Sequence, residues 1–334
     1  MEKGCYKVFR LGGIMEESVF ESYDGTLLQK YVFNCENPKA IVQIAHGMQE
    51  YSATYFEFAQ FLADNGYMVV LFDQRGHGKS VKPKDIGKIN KEKKIEKAEP
   101  TKHNLSRIKN DIFKQTVLDH ILMTKKLKSE YNLPVYYIGH SYGSFIGQSY
   151  LQECADADKI VLIGSGYMKK PLIYFGRIIA KLSTLLQGHD CRASLVETLS
   201  FDAYKKKFED GSWITSDQNE TEKFYADPLN GTPFSVGFYD SMFKNQIRLP
   251  NTKKLQYVNK QRPVLITSGS DDVIGDMGKG VLKLYQVYLH AGLNVSLKLY
   301  PKIRHAILQE VNKYEVYDEI LDFLNKNEKN TTKN

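Results

Sequence analysis

A serine lies at the centre of a short motif flanked by glycines, Gly139-His140-Ser141-Tyr142-Gly143. The motif directly follows the apolar run Val135–Ile138 and directly precedes a helix-like segment that begins near Ser144. On such a strand–turn–helix, a sharp turn lifts the serine above a sheet, and the helix N-terminus behind it favours developing negative charge. The pattern predicts that Ser141 is a nucleophile.

A serine hydroxyl attacks efficiently only when a base takes its proton. In a strand–turn–helix site of this kind the acid and then the histidine follow the serine along the chain. Of the eight histidines, only His290 and His305 lie far enough downstream. His290 ends a helical pattern just before Ala291-Gly292, so we expect it to cap that helix. His305 follows the strand-like run Val295–Leu299 and a short loop, and it is therefore the predicted base.

The acid that orients the histidine should follow the strand-like segment Pro263–Thr267. Three carboxylates lie in that loop, Asp271, Asp272 and Asp276, and spacing alone does not separate them.

Acyl transfer also requires two backbone N–H groups that stabilise the developing oxyanion. One is expected from Tyr142, the residue after the nucleophile. The other is expected from Met48, because the apolar run Ile41–Ala45 leads directly into His46-Gly47-Met48.

The elements that would position these residues alternate between strand-like and helix-like segments. Several strand candidates are almost continuously apolar, as in Ile160–Ile163, which is typical of strands buried on both faces of a parallel sheet. The predicted strands are Val19–Tyr23, Leu27–Phe33, Ala40–Ala45, Met68–Phe72, Val135–Ile138, Lys159–Ile163, Val264–Thr267 and Val295–Leu299. The predicted helices are Tyr55–Asn65, Leu105–Tyr131, Ser144–Ala155, Val281–His290 and Tyr314–Asn325. This alternation predicts an α/β fold with a doubly wound, mostly parallel, eight-stranded sheet.

The alternation stops between about Ser165 and Gln261, where the apolar segment Pro171–Leu186 has helical periodicity. We interpret this interval as a mainly helical cap over the sheet. The predicted organisation is a first part of the core at 1–165, a cap at 166–261 and a second part of the core at 262–334. Apolar cap residues such as Ile173, Phe175 and Ile178 are candidates for substrate contact.

The composition excludes fibrous and disordered classes, since 42% of the 334 residues are hydrophobic and 25% are charged. The four cysteines, Cys5, Cys35, Cys154 and Cys191, form no CxxC pair, which argues against a disulfide framework or a zinc site. No apolar stretch reaches the roughly 18 residues that a membrane-spanning helix needs. We therefore expect a cytoplasmic protein.

Basic charge is concentrated in one segment. Between Lys79 and Lys114 there are 12 Lys or Arg against 5 Asp or Glu, which equals the net charge of +7 of the whole chain. We expect a solvated loop there, and attraction to an anionic membrane surface is the alternative. The segment lacks interleaved aromatic residues, so no nucleic-acid partner is predicted.

Taken together, these residues resemble the serine-dependent α/β-hydrolase superfamily, and within it the monoacylglycerol lipase and lysophospholipase-like group. The resemblance covers most of residues 15–165 and 260–325. Its motifs are His46-Gly47-Met48-x-Glu50, the Asp73–Ser80 stretch, the Gly139–Gly143 turn, Gly269-x-x-Asp272 and His305. It implies that Asp272 is the acid. It also shows a departure, because Met48 stands where relatives often carry Ala or Gly.

The resemblance implies hydrolysis of esters of single acyl chains through an acyl-enzyme, with a small acyl ester as substrate and without metal or cofactor. Other activities on the same fold remain open: a prolyl iminopeptidase-like aminopeptidase, a thioesterase, an acyltransferase or a non-catalytic ligand-binding protein. A phosphate-binding loop at Gly78-Lys79-Ser80 is not expected, since Asp73 occupies the position of its opening glycine. Neither the natural substrate nor the oligomeric state follows from the sequence.

Overall fold

A single sheet organises the computed structural model, which describes residues 6–10, 13–80, 111–153 and 156–326. The strands within these ranges are β1 (Tyr6–Arg10), β2 (Gly13–Glu21), β3 (Leu27–Phe33), β4 (Ala40–Ala45), β5 (Tyr67–Phe72), β6 (Val135–His140), β7 (Lys159–Ile163), β8 (Val264–Gly269) and β9 (Val295–Tyr300). They pair in the order β1-β2-β3-β5-β4-β6-β7-β8-β9. Pairing is parallel from β5 to β9 and antiparallel from β1 to β5, so the sheet is mostly parallel, as predicted.

Each of the eight predicted strands is present, and β1 adds a ninth at the edge. It pairs with β2 in antiparallel register from Tyr6 opposite Glu17 to Arg10 opposite Gly13. Strand β1 was not predicted from the sequence, and β2 was predicted to begin only at Val19. The hairpin formed by β1 and β2 lies outside the apolar runs that mark the central strands.

Helices cover both faces of the sheet. They are α1 (Phe56–Asp64), α2 (Ile112–Tyr131), α3 (Tyr142–Gln152), α4 (Lys170–Gln187), α5 (Ser194–Lys205), α6 (Gln218–Ala226), α7 (Val236–Gln246), α8 (Thr252–Leu255), α9 (Lys279–His290) and α10 (Lys313–Asn325). Alternate residues of β7 point to opposite faces. Ile160 and Leu162 pack in the core that includes α2, α3 and α9, whereas Val161 and Ile163 pack in the core that includes α1 and α10. This arrangement confirms the doubly wound fold.

Helices α4 to α8 all lie between β7 and β8, within the interval 166–261 that we call the cap. Helix α4 packs on α7, where a Cβ added at Gly176 would lie 3.0 Å from the Phe243 ring. The cap boundaries at 166 and 261 stay a prediction.

Part of the chain lies outside the described residues. Positions 81–110 of the basic segment belong to it, as do Cys5 and Cys154. The two described cysteines, Cys35 and Cys191, are free thiols.

Candidate active site

Ser141 sits on a strained turn between β6 and α3. Its backbone has φ 51° and ψ −116°, a conformation that non-glycine residues rarely adopt. The flanking glycines are required by space. A Cβ at Gly139 would lie 2.3 Å from the Gly143 carbonyl oxygen, and one at Gly143 would lie 2.2 Å from the Ala45 carbonyl oxygen. The turn therefore has the strained geometry that the motif predicts for an exposed nucleophile.

His305 and Asp272 meet at the same edge of the sheet. The imidazole Nδ1 lies 2.8 Å from Asp272 Oδ1, which also accepts a hydrogen bond from the Ile274 N–H, while Ser268 Oγ donates to Oδ2. Burial raises the pKa of Asp272, but the charge and hydrogen bond of His305 outweigh it and hold that pKa below its usual value. The carboxylate is thus ionised and aimed at the imidazole.

The other predicted candidates are engaged elsewhere. Asp271 accepts a hydrogen bond from Ser270, and Asp276 pairs with Lys169 at 2.8 Å. His290 lies exposed in the last turn of α9, with its Nδ1 2.6 Å from the Gln286 carbonyl oxygen. Of the three acids and the two histidines, the structure therefore brings only Asp272 and His305 into contact with each other.

The Nε2 side of the His305 ring is buried and has no hydrogen-bond partner among the described residues. Only 3% of the residue is exposed, and Nε2 forms no hydrogen bond to any described atom, including Ser141 Oγ. Leaving a buried nitrogen without a partner is unfavourable, and such groups recur at functional sites. Space for the ring is provided by Gly164 at the end of β7, where a Cβ would lie 2.9 Å from His305 Cε1.

The loop that follows β4 lies against the serine. A Cβ added at Gly47 would be 3.2 Å from Ser141 Cβ, and the Gly47 N–H donates to Glu50 Oε1 at 2.7 Å. Met48 is the next residue along this loop. Tyr142 is the first residue of α3, so its N–H has no carbonyl partner within the helix. Tyr142 is thus adjacent to Ser141 in the chain, and Met48 follows the glycine that lies against Ser141. Their role as oxyanion donors stays a prediction.

Three residues that the sequence analysis gave no role connect this loop to the histidine. His140 Nδ1 lies 2.6 Å from the Tyr55 hydroxyl, which bonds to Glu50, and His140 Nε2 lies 3.2 Å from the His305 carbonyl oxygen. Burial raises the pKa of Glu50, but its hydrogen bond and charge interaction with His140 reverse the shift and lower it. In the sequence, only the positions of Glu50 and His140 pointed to a role at the site, because Glu50 ends the motif His46-Gly47-Met48-x-Glu50 and His140 lies inside the serine motif. Tyr55 lies in neither motif.

A cavity of about 260 Å³ lies between the core and the cap. Its lining includes Ala306, the residue after His305, but neither His305 nor Ser141. Three lining residues carry buried polar atoms without hydrogen-bond partners among the described residues: Thr54 Oγ1, Asn230 Oδ1 and Gln309 Oε1.

The candidate substrate residues on α4 have different environments. Ile173 is buried at 3% exposure, whereas Phe175 and Ile178 expose 58% and 55% of their surface. None of the three lines the 260 Å³ cavity. A role in substrate contact remains a prediction for each.

Among the described residues, no group of three or more His, Cys, Asp or Glu side chains could hold a metal ion. None of the helices in that part of the chain is both long and apolar enough to span a bilayer.

The chain is similar to known hydrolases along most of its length. It is 28% identical over 279 residues to a monoglyceride lipase homolog of monkeypox virus, covering 82% of this chain and 84% of that protein. It is 26% identical over 315 residues to the monoglyceride lipase of Saccharomyces cerevisiae, covering 90% and 89%. A thermostable carboxyl esterase from Bacillus coagulans has the same fold, with a TM-score of 0.76 at 22% identity over 93% of this chain and 98% of its own.

The model of one family matches residues 36–312, which include every residue of the predicted site. That family is described as serine aminopeptidase, S33. With its α/β-hydrolase sheet and its similarity to monoglyceride lipases, the chain belongs to the serine aminopeptidase S33 family of hydrolases.

Proposed function

We propose that the protein is a serine hydrolase that cleaves carboxylic esters of single acyl chains, with monoacylglycerols as the favoured substrates. The observation that carries the proposal is the buried His305–Asp272 pair, 2.8 Å apart, at the sheet edge where Ser141 occupies a strained turn. Strain of this kind persists where function requires it.

The proposed reaction is acyl transfer in two steps. His305 takes the proton of Ser141 as the hydroxyl attacks the ester carbonyl, and Asp272 stabilises the imidazolium and keeps its proton on Nδ1. The N–H groups of Met48 and Tyr142 stabilise the tetrahedral oxyanion. The imidazolium protonates the leaving alcohol, and a water molecule that His305 deprotonates then releases the fatty acid.

The cavity between the core and the cap, which Ala306 lines, supports an alcohol with free hydroxyl groups as the leaving group. Glycerol is small enough for about 260 Å³, and the polar side chains of Thr54, Asn230 and Gln309 belong to the lining. The relatives named as monoglyceride lipases support the same substrate class.

Aminopeptidase activity is the second candidate, because carboxylates also line the cavity: Glu50, Glu57, Glu220 and Asp227. A carboxylate is the usual partner of a substrate amine. Two of them are paired with lysines of the protein, since Lys313 Nζ lies 2.7 Å from Glu57 and Lys223 Nζ lies 2.8 Å from Glu220. We therefore favour the ester.

A substrate panel tests the proposal in the wild type, in Ser141→Ala and in Ser149→Ala, a control on the same helix. The panel comprises p-nitrophenyl esters of increasing chain length, monoacylglycerols, lysophospholipids, acyl thioesters and aminoacyl anilides. We expect the highest kcat/KM on monoacylglycerols, and loss of a triad serine costs about 10⁶ in kcat. Full ester turnover by Ser141→Ala would refute the serine mechanism, and faster cleavage of the anilides would favour the aminopeptidase. Ligand binding without turnover of any panel member would indicate a binding protein.

A further inference from the structure

An aromatic residue of the cap contacts the ring of the proposed base. The Trp213 and His305 ring centroids are 5.4 Å apart, with 35° between the ring planes. Two side chains of α5 hold the indole: Phe201 stacks on it at 5.8 Å, and Tyr204 packs at 5.5 Å. The indole therefore reaches His305 from a supported position rather than from a free loop.

The backbone around Trp213 is joined to the loop that carries His305. The Ala306 N–H donates to the Ile214 carbonyl at 2.7 Å, and Thr215 Oγ1 donates to the Gln309 carbonyl at 2.9 Å. These bonds hold cap residues 212–216 against the segment that carries His305, residues 301–310, which we call the histidine loop. A change in the cap is thereby transmitted to the imidazole.

Arg304 adds a second set of bonds between the same two segments. Its Nη1 donates to the carbonyl oxygens of Ser212 and Thr215 and pairs with Asp210 at 2.6 Å. From the cap side, the Ser216 N–H donates to Glu310 at 3.0 Å. Arg304 and Glu310, on either side of His305, are thus turned toward the cap and bonded to it.

Three groups from other elements face the imidazole directly. Asp272 binds Nδ1, Trp213 presents its ring, and the His140 ring lies 4.9 Å away. Tyr204 packs on Trp213, and burial raises its pKa, so it is neutral near pH 7. The face of the Trp213 indole attracts a positively charged His305 ring, whereas a positive charge on His140 would repel it.

We propose that Trp213 is a positioning residue, supplied by the cap, that holds the His305 ring and stabilises its protonated form during acyl transfer. The inference rests on the proposed function, because it takes His305 as the base. It assigns the cap a part in the chemistry in addition to covering the substrate.

Kinetics of Trp213→Leu and Trp213→Phe test the role. A ring–cation contact corresponds to about 3- to 30-fold in rate, so we expect kcat of Trp213→Leu to fall by that factor with KM within about twofold. The pH at which half of kcat is lost on the acid side should move down in Trp213→Leu and stay closer to wild type in Trp213→Phe. An unchanged kcat and an unchanged pH midpoint would overturn the proposal. An increase in kcat would also overturn it, since the indole would then obstruct the active site instead of supporting the base.

Fluorescence provides a readout that needs neither substrate nor activity. Trp213 is the only tryptophan in the sequence, and a protonated imidazole in contact with indole quenches its emission. We expect emission to rise with pH in one step that also occurs in Ser141→Ala and disappears in His305→Gln. Persistence of the step in His305→Gln would refute the contact. Because Ser141→Ala keeps the step, failure of the ester-hydrolase proposal and failure of this inference give different results.

Discussion

Replacing Asp272 with Asn removes the charge that faces His305 while preserving much of the geometry. The oxygen at the Oδ1 position accepts from both His305 Nδ1 and the Ile274 N–H, so the amide of Asn should place its own oxygen there. Its NH₂ group then faces Ser268 Oγ, which can accept a hydrogen bond as readily as it donates one. We therefore expect the imidazole tautomer to survive and the electrostatic stabilisation to be lost.

The size of the loss follows from the distance. With the nitrogen and oxygen 2.8 Å apart, the two charge centres are separated by about 4 Å, which corresponds to about 4 kcal/mol at an effective dielectric constant of about 20. That energy corresponds to about 10³ in kcat. Asp272→Ala also loses the orientation of the ring, so its loss should reach about 10⁴ or more.

Hydrolysis of a soluble p-nitrophenyl ester measures kcat for both variants, and a fluorophosphonate probe counts the reactive serine. Asp271→Asn is the matched control, since that carboxylate contacts Ser270 and not the imidazole. Thermal unfolding checks that each variant folds. Equal losses in Asp271→Asn and Asp272→Asn, or full activity in Asp272→Asn, would refute the assignment of the acid.

Two further predictions concern stability and the cap. Burial lowers the pKa of His77 to about 4 and that of His120 to about 3, so between pH 7 and pH 5 the unfolded chain binds protons that the folded chain does not. Each histidine should therefore cost about 2 kcal/mol of stability at pH 5; urea unfolding measures the loss, His120→Gln should reduce it, and greater stability at pH 5 would contradict the reasoning. We also predict that α4 contacts the membrane surface, because its Leu185 and Leu186 side chains are 82% and 80% exposed, and the double variant Leu185→Glu, Leu186→Glu tests this contact. Turnover of monoacylglycerol in vesicles should fall several-fold while that of p-nitrophenyl acetate is unchanged, and an equal effect on both substrates would count against the contact.

Several features of the fold could be predicted because they depend on residues close together in the chain. The run Ile160–Ile163 is apolar at every position, as a strand covered by helices on both faces must be, and it is β7. The predicted helix Tyr55–Asn65 is α1, followed by Gly66 at φ 83°, a conformation that suits glycine at a helix end. The same locality explains the prediction of the Ser141 turn, since strand, glycines and helix are contiguous.

Other features depended on contacts that local patterns do not encode. Asp271 and Asp272 are adjacent and chemically alike, and only the position of the His305 loop distinguishes them. Strand β1 and its pairing with β2 were not predicted, because a pairing at the sheet edge does not require an apolar run. The cavity lined by Ala306 could not be predicted either, because its polar lining comes from separate loops and the cap.

The sequence by itself determined the order of strands and helices and the residue types available for catalysis, because periodicity and glycine placement act within a few residues. The tertiary structure decided which carboxylate faces the imidazole, and it placed Trp213 of the cap against that ring. These choices depend on how distant segments pack, since a side chain acquires its electrostatic environment only when the residues around it, from other parts of the chain, are in place.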